Sequence, residues 1–204
     1  MSWLDGNYLD DIKDTVWFAT LKMLNPEIDL KGIHQFEDVL DAKNIPWTFP
    51  PNKIRHSYQQ GQPDFNRDEN IVFIYLSEEN DEYGKFADSV QEFNETKTDK
   101  LQRSIRRIVF RAQFIIYGDL SYKIANKIKD SLFEADIKRT LQQRGIFIVP
   151  DLNFCVHAPE HHDAIWWERW DWHTRLNYLH VSQKENVGGL VCFDCPEIIL
   201  NIDY

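Results

Sequence analysis

The segment IWWERWDWHTRLNYLHV, residues 165–181, alternates in polarity along seventeen positions. A period of two is the pattern of a β-strand, and at the usual rise this one spans roughly 55 Å, far beyond the common strand length. One face carries Trp166, Glu168, Trp170, Trp172, Thr174, Leu176, Tyr178 and His180. The other carries Trp167, Arg169, Asp171, His173, Arg175, Asn177, Leu179 and Val181. The aromatic face is expected to be buried, leaving Arg169, Asp171, His173 and Arg175 as an outward row of alternating charge. A solvated outer face is the plain reading of that row. The sharper one is a subunit contact, because Trp, Tyr and Arg are favoured interface anchors and an overlong strand projects towards a neighbour. Trp167, Arg169, Asp171, His173 and Arg175 are therefore the first candidate interface residues, and a one-residue slip of register would exchange the faces.

The rest of the chain supplies what this strand packs against. Leu9, Ile12, Val16, Ala19 and Met23 recur at helical steps, which predicts a helix over 8–24, closed by Asn25-Pro26. Residues 26–69 are punctuated by Pro46, Pro50, Pro51, Gly61 and Pro63, with Trp47, Phe49 and Tyr58 as anchors, and read as an irregular insertion or assembly arm. IVFIYLS (71–77) predicts a buried strand, and 78–104 a loop or edge hairpin. RRIVFRAQFIIYG (106–118) alternates, with Ile108, Phe110, Ala112, Phe114 and Ile116 on one face. After Gly118-Asp119, Leu120, Ile124, Ile128 and Leu132 form a helical stripe that breaks near Ala135 and resumes at Ile137 and Leu141. Gly145 suits a helix C′ position. Short strands are expected at 146–150 and 153–157, and a terminal strand at 197–204. The expected architecture is α+β (α/β in the broad sense): one domain over 1–204, with a mixed, largely antiparallel sheet, helices on one side, a long projecting strand and a C-terminal strand extension at 187–204.

Charge and composition narrow the function. At 204 residues and a formal charge of −10, the chain fits one domain and is a poor partner for free duplex DNA. No apolar run reaches the roughly 20 residues of a spanning helix, and the N-terminal residues lack the pattern of a signal peptide. Three cysteines make no disulfide framework.

Chemical motifs are sparse. CVHAPEHHD (155–163) gathers Cys155, His157, His161, His162 and Asp163, all ligand types for zinc. Its spacing matches no established site, so a polar, partly exposed loop is preferred to a metal-dependent enzyme or zinc-stabilised domain. CFDC (192–195) lacks a helix start or a second CxxC, and Cys192 and Cys195 read as small apolar residues. There is no nucleophile elbow and no phosphate loop. No catalytic residue and no cofactor are expected. RSIRR (103–107) is the one concentrated basic patch, making Arg106 and Arg107 second-rank interface candidates, against nucleic acid or against an acidic neighbour.

A strand ending FIIYG (114–118), a helix with Ala125 and Ile128, a leucine helix ending in Leu141 and Gly145-Ile146, and a W-x-E-R strand containing Arg169 follow one another in order. Over residues 70–185 this resembles the neck and tail terminator proteins of long-tailed bacteriophages. The resemblance implies a structural virion protein without catalytic residues, assembled in the host cytoplasm and located in the tail or neck. It implies a closed ring, commonly a hexamer, at the head-proximal end of the tail tube, which stops polymerisation of tube and, where present, sheath and docks to the head connector. Genomic DNA would pass the lumen without specific binding, and no membrane is involved. A head–tail connector adaptor or head-completion protein is the alternative within the virion.

Overall fold

The computed structural model describes residues 8–28, 39, 45–57, 65–80, 87–93, 100–151 and 153–184. The first helix, α1 (Tyr8–Leu24), has Asp10 and Asp11 in its first turn and Lys22 in its last, each sign matching the helix dipole. Ile12, Val16, Ala19 and Met23 are buried as their spacing predicts, and so are Trp17, Thr20 and Leu21, which widens the buried arc. Asn25 ends the helix: its Nδ2 donates to the Leu21 and Phe49 carbonyls, both at 3.0 Å, while its Oδ1 accepts the Phe49 N–H at 2.8 Å. That clasp fixes the start of the irregular segment to the helix end, and Trp47 and Phe49 pack half-buried on the core.

Among the described residues of 26–69, residues 51–56 are regular. A 3-10 turn (Pro51–Lys53) leads into β1 (Ile54–His56), which pairs in parallel with β2 (Ile71–Glu79) at the sheet edge. Trp17 Nε1 donates to the Ile54 carbonyl at 2.9 Å, tying α1 to that edge. Three residues are too few for a period to register, so only the pairing reveals the strand. Tyr58 lies outside the described residues.

The sheet runs β1-β2-β4-β9-β5, where β4 is Lys100–Tyr117, β5 is Ile146–Ile148 and β9 is Arg169–Lys184. Strand β3 (Ala87–Phe93) forms the expected edge hairpin with the first part of β4, which starts earlier than the predicted residue 106. Antiparallel β4 and β9 stay in register from Gln102↔Lys184 to Tyr117↔Arg169. Val72 and Ile74 of β2, the even residues Ile108–Ile116 of β4 and the even residues Trp172–Tyr178 of β9 are buried on the helix side and form the main core. A smaller cluster of Ile71, Phe73 and Tyr117 lies on the opposite face, covered by Phe65. That cover explains why β2 is buried on both faces only over residues 71–74.

Two further helices, α2 (Ser121–Ser131) and α3 (Ala135–Gln142), pack with α1 on the core face. The architecture is α+β, as predicted. Leu120 departs from the predicted stripe: it is the N-cap of α2 and 43% exposed. Its N–H is held by Asn70 Oδ1 at 2.9 Å. Gly118, at φ 102°, is demanded by the same contact, since a Cβ there would sit 2.5 Å from Asn70 Oδ1 and 2.8 Å from its Cα. Gly145 is left-handed (φ 71°) but lies two residues past the C-cap Gln143, with its N–H on the Gln142 carbonyl at 2.9 Å. Past Ile108 and Tyr178 the strands outrun the helical layer, and Arg106, Arg107 and Leu179 are exposed. Among the described residues no helix is long and apolar enough to cross a membrane. Cys192, Cys195 and the predicted strand at 197–204 lie outside the described residues.

Candidate functional site

The long alternating run is two strands, and this corrects the single strand expected over 165–181. Residues Ile165–Trp167 form β8, paired with β7 (Glu160–His162) in a separate two-stranded sheet. Glu168 is not in a strand, and β9 begins at Arg169. Its carbonyl accepts the Gly118 N–H at 3.3 Å, where β4 ends. The hairpin turns on Asp163 and Ala164, both at positive φ (52° and 61°), the sign pattern of a type I′ turn. In consequence Trp166 is not buried as its parity predicts but 69% exposed, and Ile165 beside it is 53% exposed. Trp167 is half-buried, its Nε1 donating to the His162 carbonyl at 3.3 Å.

From Trp172 onward the alternation holds. Trp172, Thr174, Leu176 and Tyr178 are buried, and Asp171, His173 and Arg175 lie on the opposite face with Arg169. Arg169 grips Asp171 with Nε–Oδ1 at 2.8 Å and Nη2–Oδ2 at 2.6 Å, and its Nη1 reaches Glu160 Oε2 at 3.4 Å. Its guanidinium also lies 5.8 Å from the Tyr117 ring centroid. The Tyr117 hydroxyl donates to the same Glu160 oxygen. Burial, then this hydrogen bond, pushes the Tyr117 phenol up to about 12. The Tyr117 hydrogen bond, aided by Arg169, holds the Glu160 carboxyl below its usual range. The network fastens the base of the hairpin to β4 and β9.

Further along the face, Arg111 and Arg175 are direct cross-strand partners. Like charges placed opposite one another are unfavourable. Each has one carboxylate: Arg175 Nη2 lies 2.9 Å from Asp151 Oδ2, and Arg111 Nε lies 3.8 Å from Glu79 Oε1. Neither Nε makes a hydrogen bond, although both atoms are buried. Between these residues and Asp171, burial and then Arg111 lower the His173 pKa. Of the second-rank candidates, Arg106 pairs with Glu78 at 3.1 Å and Arg107 is exposed on the other face of β4.

The Cys/His loop does not assemble a metal site. His157, on the edge strand β6 (Val156–His157), stacks on Trp170 at 4.8 Å and sits 3.1 Å from Glu168. Trp170 and then His157 hydrogen-bond to Glu168 and hold its carboxyl low. His161 packs on Trp166 at 4.9 Å, whereas His162 Nδ1 pairs with Asp163 at 2.9 Å. Adjacent residues of a strand point to opposite sides, so β7 separates His161 from His162. The Cys155 thiol lies 3.9 Å from Asn126 Oδ1, and burial raises its pKa. Among the described residues, no three His, Cys, Asp or Glu side chains stand together as a metal site.

A groove of about 800 Å³ with mostly apolar walls opens between the end of α1, residues 48–50 and the start of α2. Leu24, Phe49, Leu120 and Ile124 line it, with Lys123, Lys127 and Glu27 around them and the paired Lys53 and Glu69 at one side. Its walls come from segments about 100 residues apart, which no local pattern connects. The exposure of Trp166 was legible only through the Asp163-Ala164 turn, which lacks the usual Asn-Gly signal.

Comparison of the chain with known families matches the phage neck terminator protein family over residues 31–201, more than four-fifths of the sequence. No curated protein matches it.

Proposed function

The chain belongs to the phage neck terminator protein family and has a structural role in the phage tail and neck; on that premise we propose that it forms a ring at the head-proximal end of the tail tube. The ring stops growth of the tube, and of a sheath where one exists, and offers its other side to the head connector. A hexamer is the expected closure. Its subunits meet through the outer face of β9, with Asp171, His173 and Arg175 in the contact, Arg106 and Arg107 flanking it, and Arg169 and Trp167 holding the adjoining hairpin in position.

The observation that carries this reading is the Arg111–Arg175 pair. Two guanidinium groups face each other across the central strands, each with a buried Nε that lacks an acceptor. A neighbour's carboxylate set against the exposed ends of the two guanidinium groups would relieve the repulsion. The chain has ten more acidic than basic residues, so carboxylates are plentiful on a second copy. An acidic lumen would let DNA pass without adhering.

Negative-stain imaging of the purified protein and of tails assembled with it tests the proposal. Six-fold rings at the tail end support it; a twelve-fold ring indicates a connector adaptor instead. Arg175→Glu should give folded subunits that no longer close rings, and tails of uncontrolled length. Normal tails carrying that variant would remove the β9 face from the contact.

A further inference from the structure

The hairpin β7–β8 offers an exposed apolar knob with an acidic tip, and the groove beside α2 an apolar cleft with two lysines at its edge. The hairpin projects an apolar pair, Ile165 and Trp166, that its own subunit leaves 53% and 69% exposed. Tryptophan exposed to this degree is uncommon on a soluble surface and is the side chain most enriched at interface hot spots. The hairpin is not a loose loop: Arg169 and Tyr117 both bind Glu160 at its base. A knob held in this way loses little conformational freedom on docking.

The groove is large enough, at about 800 Å³, to take more than one big side chain. Leu120 explains why it needs cover, since this N-cap residue is 43% exposed on the wall. None of the hairpin residues lines it, so the subunit's own hairpin does not fill it. Charge favours the match. Residues 160–168 contain Glu160, Asp163 and Glu168 and no lysine or arginine. The Asp163 side chain, at the hairpin tip, is 81% exposed. Lys123 and Lys127, both exposed, stand one turn apart on α2 at the groove.

We propose that the occupant of the groove is the hairpin of a second copy of this chain, with Ile165 and Trp166 seated between Phe49, Leu120 and Ile124 and Asp163 facing Lys123 and Lys127. Knob and groove are different patches of one subunit, so the contact is heterologous, the kind that repeats from copy to copy and closes into a ring. The inference rests on the ring reading above and names a second contact in it, apart from the β9 face.

The test is a double variant, Trp166→Cys with Leu120→Cys, in a chain whose Cys155, Cys192 and Cys195 are replaced by Ser. Mild oxidation of the purified protein and of assembled tails should give a ladder of covalent multimers ending at the ring number, and only when both substitutions are present. Imaging of the same samples separates the two ideas. Rings without a ladder overturn the hairpin contact and leave the ring reading intact; the absence of rings in solution and on tails removes both. A symmetric dimer from Trp166→Cys alone, an internal cross-link within one subunit, or a cross-link to another tail protein also overturns the proposal. Mixing supplies an independent readout. Trp166→Ala and Leu120→Glu should each fail to associate, whereas an equimolar mixture retains one intact knob and one intact groove and should form dimers that do not grow. If each variant melts with the parent protein and the mixture stays monomeric, the contact is wrong.

Discussion

Arg169 and Asp171, two residues apart on β9, form a two-point ion pair, Nε to Oδ1 at 2.8 Å and Nη2 to Oδ2 at 2.6 Å. Strand geometry places residues i and i+2 on one face, and the planar guanidinium matches the carboxylate edge. The hydrogen bond to Asp171, and after it the charge of that carboxylate, raise the Arg169 pKa further against the opposing effect of burial. The third nitrogen is left for Glu160, so one side chain joins the long strand to the hairpin.

Arg169→Lys should therefore act through the hairpin. A lysine cannot satisfy Asp171 at two points and reach Glu160 as well. With side chains 24% and 17% exposed, the Arg169–Asp171 pair lies between a surface ion pair and a buried one. The expected cost is about 1–2 kcal/mol in chemical denaturation. Trp fluorescence should also shift before the main transition as the hairpin loosens. A variant with unchanged stability and unchanged fluorescence would mean that the network is ornamental.

Ala164→Gly should have the opposite sign. Ala164 holds φ 61° behind Asp163 at φ 52°, a pair of left-handed residues for which glycine is the favoured second member. Relief of the Cβ clash exceeds the extra chain entropy of glycine, giving a net gain of about 0.5 kcal/mol. Slower hydrogen exchange at the β7–β8 amides, with a slightly higher Tm, is the expected record. Ala164→Val should lower both.

The edge strand β1 should make the subunit acid-sensitive. Burial, then Lys13, depresses His56 from 6.5 to about 4, against a smaller opposing effect of Asp10. The folded state thus binds the proton less readily than the unfolded state. Neutral His56 contributes fully above pH 6.5, and its contribution is lost as pH falls from there through about 4. Melting temperature measured across that window should fall, and His56→Gln should flatten the slope. Identical pH profiles for the two proteins would assign the acid sensitivity elsewhere.

Much of this was open to reading before any fold was known. The period of two fixed which residues of 108–117 and 172–178 face the core, because each side chain's direction follows from its own position in the strand. The helical stripes of α1, α2 and α3 were legible for the same local reason, as was the resemblance that the family match bears out. Partnerships were not legible. Trp166 has the parity of a core residue, yet it is exposed because a turn at Asp163-Ala164 and a break at Glu168 detach its strand from the sheet. Arg169 reads as one charge in a row, but its partners Glu160 and Tyr117 come from two other strands. The groove at Leu120 joins the ends of helices separated by the whole first half of the sheet. Periodicity reports how a side chain points; what it meets there depends on segments brought together across the chain, and only the tertiary structure decides that.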